Sequence, residues 1–244
     1  MIGYFAGCVA KSIENYLIKK GVTARLRSYV EFNNSQDTKI IRFPNMFLDS
    51  GAYSAFTRGI NIDIAEYAEF IKLYKPQVAA SLDVIGDAEA TKVNHKKLEA
   101  LGVETIPTIH FGADKKTIKY WMDGYKHIAV GGLVPHAAKK KSLAVFLDNI
   151  FSYARTVWPV KIHCFGLWSD WIHQRYPFHS ADSTTWLAFS RYGVSRANMD
   201  EKLEHFLKKT KPGHDKLETE VDHYIRKFKF YTDLWNKRGI TWEK

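Results

Sequence analysis

Short apolar runs recur along the chain with amphipathic or polar stretches between them, and most of the runs stop at an aspartate, a histidine or a glycine. Ile2 to Ala6 reads as a first strand, followed by a helix over Val9 to Lys20 that Gly21 ends. Ala24 to Phe32 reads as a second strand, and Asn45 to Leu48 as a third that runs directly into Asp49, Ser50 and Gly51. From there the alternation sharpens. Val78 to Leu82 meets Asp83 and precedes a helix over Ala88 to Leu101; Glu104 to Ile109 meets His110 and Gly112 and precedes a helix near Lys115 to Tyr125. His127 to Val130 meets Gly131 and Gly132 ahead of a helix over Lys141 to Arg155. Val160 to Cys164 leads to Gly166, and Phe178 to Ala181 ends at Asp182.

Eight strands joined by crossovers long enough for helices predict an α/β fold closed into a (β/α)8 TIM-type barrel, one domain over residues 1–244. A doubly wound open sheet is the alternative, but the first turn, FAGCVAKS, lacks the GxGxxG that would open a dinucleotide fold. Past Gly193 the pattern becomes helical. Met199 to Lys208 predicts a charged amphipathic helix, Lys211-Pro212-Gly213 breaks it, and Leu217 to Trp235 predicts a longer one. Its stripe of Val221, Tyr224, Ile225, Phe228, Tyr231 and Leu234 is expected to pack on the barrel, which makes residues 199–244 a helical extension of the same domain.

Composition narrows the functional classes. An apolar fraction of 45%, with 15 Phe, 13 Tyr and 7 Trp, supplies a sizeable core. Thirty-six Lys and Arg against 26 Asp and Glu give a net charge of +10, which favours a polyanionic partner or a basic solvated surface. Only Cys8 and Cys164 are present, too few for a disulfide scaffold or a thiolate zinc cluster, and they point to a reducing cytoplasm. The opening segment is interrupted by Lys11 and Glu14, so it predicts neither a signal peptide nor a membrane span.

In a parallel barrel the C-terminal ends of the strands converge on one mouth, so the residues to weigh are Asp49, Asp83 and Asp182. Three carboxylates sharing one mouth repel one another, which spreads their pKa values and lets one exchange a proton while another stays ionised. An aspartate capping a turn is the alternative for each taken alone. Gly51, Gly131 and Gly132 let backbone approach a flat ligand, or serve as ordinary turn glycines. Tyr53 and Phe56 are placed to stack on a ring or to fill the core. His110 ends the PTIH run and is either ligand-facing or structural, whereas His173 and His179 carry no assignment. His163 and Cys164 are adjacent in a strand and point to opposite faces, and no histidine set has zinc spacing, so no metal and no cofactor is expected. Ser12, Ser50 and Ser54 lack a nucleophile-elbow context. Lys139, Lys140 and Lys141, just beyond GGLVP, are the first candidates for phosphate contact, with Arg191 and Arg196 beyond Asp182. Lys208, Lys209 and Lys211, and Arg226, Lys227 and Lys229, form further basic clusters.

FLDSGAYSAF at 47–56, ASLDVIGD at 80–87, IAVGGL at 128–133, KIHCFGL at 161–167 and HSADSTTW at 179–186, taken in this order, resemble the tRNA-guanine transglycosylase superfamily. The likeness is greatest to phage and bacterial 7-deazaguanine DNA transglycosylases. It implies a barrel enzyme that exchanges guanine in a polynucleotide for a 7-deazaguanine base such as 7-cyano-7-deazaguanine. It implies Asp182 as the nucleophile at the sugar C1′, Asp49 as the general acid/base and Asp83 as the reader of the base edge. Ser50, Gly51, Tyr53, Gly131, Gly132 and His110 would complete the base pocket, His110 standing where tRNA enzymes carry a glutamine. Members that act on tRNA have a CxCxxC-plus-His zinc module after the barrel, and this chain has no cysteine after Cys164. DNA, single-stranded or with a flipped base, is therefore expected over tRNA as partner. The expected setting is the cytoplasm, that of the host for a phage-encoded chain, with no membrane and a monomer or homodimer. The alternatives are base exchange on tRNA without the zinc module, a base-releasing N-glycosidase, and a non-catalytic nucleic-acid-binding barrel.

Overall fold

The computed structural model describes residues 1–7, 11–33, 41–187 and 214–242. Eight strands, all parallel, form one sheet: β1 (Ile2–Phe5), β2 (Ala24–Ser28), β3 (Asn45–Asp49), β4 (Val78–Ala79), β5 (Thr108–His110), β6 (His127–Gly131), β7 (Lys161–Cys164) and β8 (Ser180–Ser183). Their order is β4-β3-β2-β1-β8-β7-β6-β5, and the two ends meet through a parallel bridge between Ala80 and Ile106. Hydrogen bonds from Ser81 N to Ile106 O (2.9 Å) and from Ile106 N to Ala79 O (2.8 Å) close the seam. The fold is a (β/α)8 TIM-type barrel.

Among the described residues the helices are α1 (Lys11–Lys19), α2 (Tyr29–Asn33), α3 (Ala52–Arg58), α4 (Ile64–Tyr74), α5 (Ala88–Ala100), α6 (Lys115–Gly124), α7 (Lys140–Ala154), α8 (Asp170–Arg175) and α9 (His214–Lys237). Aspartates cap three of them: Asp63, Asp87 and Asp114 accept backbone N–H bonds at the starts of α4, α5 and α6. Side-chain alternation along the strands builds two cores. Tyr4, Leu26, Phe47, Ala80 and Ala129 fill the bore, while Phe5, Leu48, Ile109, Val130, Ile162 and Ala181 face the helices.

Several elements depart from the sequence reading. The second strand ends at Ser28 rather than Phe32, because Tyr29 and Val30 turn into α2, where Tyr29 packs against Tyr67 and Phe70 of α4. The strand expected over Val78 to Leu82 pairs regularly only at Val78–Ala79. The fifth begins at Thr108 rather than Glu104: Pro107 has no N–H to add to a ladder. Asp49 and Asp182 lie inside β3 and β8, not beyond them. Helices α3, α4 and α8 follow no periodicity noted in the sequence.

The C-terminal stripe packs as expected, with Val221, Tyr224, Phe228, Tyr231 and Trp235 of α9 buried and Ile225 and Leu234 partly so. Cys8, the helix expected over 199–208, Arg191, Arg196, Lys208, Lys209 and Lys211 lie outside the described residues. Helix α9 comes close to the barrel because β1 carries Gly3, where a Cβ would overlap the Phe228 ring. Gly3→Ala is expected to cost about 1–3 kcal/mol through overpacking. Chemical denaturation measures it, and an unchanged midpoint would mean that α9 does not lean on β1.

Candidate active site

Alternation sends Asp49, His110, Gly131, His163 and Asp182 to the inner face of their strands, near the C-terminal end of the barrel. Asp182 is buried, and its Oδ1 accepts a 2.8 Å hydrogen bond from Gly166 N–H. His163 Nε2 lies 3.2 Å from the same oxygen, and His163 Nδ1 lies 2.8 Å from Ser180 Oγ. Burial pushes the His163 pKa below its ordinary value, despite the opposing pull of Asp182, so the ring is neutral near pH 7. A neutral ring satisfies both contacts in one tautomer: Ser180 O–H donates to Nδ1, and Nε2–H donates to Asp182. Rings of Phe47 (4.5 Å), Phe165 (4.6 Å) and Tyr4 (5.8 Å) enclose the imidazole. Both bonds fall on Oδ1, and Oδ2 has no hydrogen bond among the described residues.

Asp49 receives a 3.1 Å bond from Gly51 N–H on its Oδ2. Its pKa is raised from 3.8 to about 7, first by burial and then by the charges of Asp182 and Asp83, with the Gly51 bond opposing. Gly51 holds a left-handed conformation (φ 77°) and packs its α-carbon against Ser28 and Val30, so a side chain there would be strained and would collide with both. Buried Ser50 lies between them, and Tyr53 and Phe56 are exposed on α3.

Asp83 follows β4, and its Oδ2 lies 3.3 Å from His110 Nε2, out of line for a hydrogen bond. Burial lowers the His110 pKa, but Asp83 outweighs it and the net shift is upward. Three buried polar atoms here have no hydrogen-bond partner among the described residues: Asp83 Oδ1, His110 Nε2 and Ser28 Oγ. Gly131 sits against Thr108 and His110, where a Cβ would come within 2.9 Å of the Thr108 methyl, and Gly132 (φ 70°) is exposed beside it. Lys139, Lys140 and Lys141 are exposed where the chain enters α7, on the connection that leaves the mouth after Gly131. Lys227 is instead tied to Asp170 at 2.8 Å on the outer wall.

The sequence reading missed the link from Ser180 through His163 to Asp182. Its signal was there: with Cys164 facing the helices, His163 must face the bore, as Ser180 and Asp182 do. Among the described residues, no group of three or more His, Cys, Asp or Glu is placed to hold a metal ion, and no helix is long and apolar enough to cross a membrane.

No family model and no curated protein matches the chain. Among solved structures it is similar to a mutant of the tryptophan synthase alpha-subunit from the hyperthermophile Pyrococcus furiosus, with a TM-score of 0.51 and 12% identity over 91% of this chain and 97% of that one. A second mutant of the same subunit gives a TM-score of 0.49 at 10% identity, with the same coverage. At such identity the likeness concerns the fold alone.

The raised pKa of Asp49 has a signed consequence for stability. Folding favours its neutral form, so that contribution is full below its ordinary value of 3.8 and is lost as pH rises through about 7. Asp49→Asn fixes a neutral group. Thermal denaturation across pH is expected to show the variant matching wild type under acid conditions and exceeding it above neutrality; a pH-independent difference would contradict the assignment.

Proposed function

We propose that the protein is a DNA-guanine transglycosylase that exchanges guanine in DNA for a 7-deazaguanine base through a covalent aspartyl-sugar intermediate. The observation that carries this reading is the division of labour between two carboxylates in one mouth. Asp182 is fixed through one oxygen by Gly166 and His163, while Asp49 has a pKa of about 7. One is oriented as a nucleophile and the other is suited to move a proton near neutrality.

In the first step Asp182 Oδ2 attacks C1′ of the deoxyribose, the C1′–N9 bond breaks, and Asp49 in its acid form gives a proton to the departing guanine. In the second, Asp49 as carboxylate takes a proton from the incoming base, whose ring nitrogen attacks C1′ and releases Asp182. Atoms balance, and each displacement inverts C1′, so the configuration is retained. Asp83 Oδ1 and His110 Nε2 offer an acceptor and a ring nitrogen to a purine edge, which accounts for buried polar atoms that would each cost roughly 1–3 kcal/mol if left unmet. Gly131 and Gly132 leave that edge uncovered. Lys139, Lys140 and Lys141 would meet backbone phosphates beside the mouth.

DNA is preferred over tRNA because the segments at 47–56, 80–87, 128–133, 161–167 and 179–186 most resemble those of the DNA transglycosylases. Hydrolysis of the sugar ester, which would make the protein an N-glycosidase, uses the same residues and differs only in the acceptor. Incorporation of labelled 7-cyano-7-deazaguanine into matched single-stranded DNA and tRNA distinguishes these cases. Label is expected in DNA, lost with Asp182→Ala and reduced roughly 10²–10⁴-fold with Asp49→Ala. Label in tRNA alone would overturn the choice of partner, and free guanine released without incorporation would replace exchange with hydrolysis.

A further inference from the structure

A cavity with a volume of about 810 Å³ lies at the end of the barrel opposite Asp182. Lys126, His127 and Lys161 line it from the N-terminal ends of β6 and β7, and Tyr125, Trp158 and Trp242 add rings. We propose that this cavity is a second ligand site, independent of the carboxylate mouth, for a small planar molecule bearing a phosphate, a nucleoside monophosphate being the simplest kind.

The anion half of the site rests on cations and unmet ring nitrogens. Lys161 and His127 are register partners at the start of adjacent strands, and the half-buried Lys161 ammonium has no ion-pair partner among the described residues. His127 Nε2 and His179 Nδ1 are buried without hydrogen-bond partners among those residues, and their rings lie 5.5 Å apart. Burial first, and then neighbouring cationic or imidazole groups, lower both pKa values, to about 4 for His127 and about 3 for His179. Neutral imidazoles can donate to an anion without adding repulsion of their own. Of the two carboxylates at the cavity, Glu99 is engaged by Lys96 and the Tyr125 hydroxyl, and Glu104 is exposed at the rim.

The planar half rests on the two indoles. Trp158 and Trp242 have ring centroids 6.4 Å apart, and each is anchored by its Nε1–H, to Thr241 O at 3.0 Å and to Pro177 O at 3.3 Å. Each indole is fixed by its ring edge, Trp242 also meeting the His179 ring at 5.8 Å, and both line the cavity, where a flat ring would stack as bases stack on aromatic side chains. A phosphate bound beside them would reach Lys161, His127 and Lys126, whose ammonium otherwise donates to Val157 O at 3.3 Å, a donor set suited to several oxygens rather than one. The volume falls within the usual range for small-ligand sites.

Titration of the full chain with GMP, guanosine and inorganic phosphate, followed by tryptophan fluorescence, tests the site. GMP is expected to bind saturably and roughly tenfold or more tighter than either fragment, the factor that one charge-assisted contact confers. Lys161→Ala and Trp242→Ala are each expected to weaken GMP binding by a similar factor, while Asp49→Ala and Asp182→Ala leave it unchanged. Lys126→Ala, an exposed substitution, keeps the test intact if Lys161→Ala fails to fold. Absence of saturable GMP binding, equal affinity for guanosine, or binding lost with Asp182→Ala but kept in the cavity variants would overturn the proposal. None of these results depends on whether the mouth exchanges bases.

Discussion

A closed parallel barrel has almost no water in its bore, so every polar side chain that strand alternation turns inward must find a partner, go neutral or wait for a ligand. Some inward positions avoid the problem with Tyr4, Leu26, Phe47, Ala80 and Ala129. The polar positions at the C-terminal end each answer the constraint differently. Ser180, His163 and Asp182 form a hydrogen-bonded chain; Asp49 holds its proton to about pH 7; Asp83 and His110 face each other with atoms left unpaired. The same closure that keeps solvent out of the core creates the differences among the three carboxylates.

Those differences are what base exchange requires. A nucleophile must be held still and pointed at carbon, and Asp182 is fixed through a single oxygen by a backbone N–H and a neutral imidazole that aromatic rings enclose. A proton carrier must accept and release near the working pH, and burial among like charges brings Asp49 there. The unmet atoms of Asp83 and His110 suit the polar edge of a planar base. The foot of the barrel repeats the theme with opposite charge, since its unmet groups are imidazoles and a lysine rather than carboxylates.

The barrel was readable because its strands announce themselves twice, as apolar runs and as polar or glycine residues where those runs stop. Asp49, Asp83, His110, Gly131 and Asp182 could be placed at one mouth from that register alone. What the pattern concealed has physical causes. Tyr29 and Val30 are apolar enough to extend a strand, but a helix is what brings Tyr29 against Tyr67 and Phe70. Pro107 shortens β5 although the run around it looks continuous. Helices α3 and α8 have seven and six residues, too few for a periodic signal to emerge. The bond from His163 to Asp182 joins residues 19 apart in sequence, and only the pairing of β7 with β8 brings them together.

Base exchange by this chain stands or falls on whether Asp182 carries the sugar. Peptide mapping by mass spectrometry can decide it, after the protein has met guanine-containing single-stranded DNA without an incoming base and has been quenched by denaturation. A DNA adduct, linked through a sugar ester, is expected on the peptide that contains Asp182. An adduct on another residue, or none under conditions where guanine is exchanged, would contradict that role.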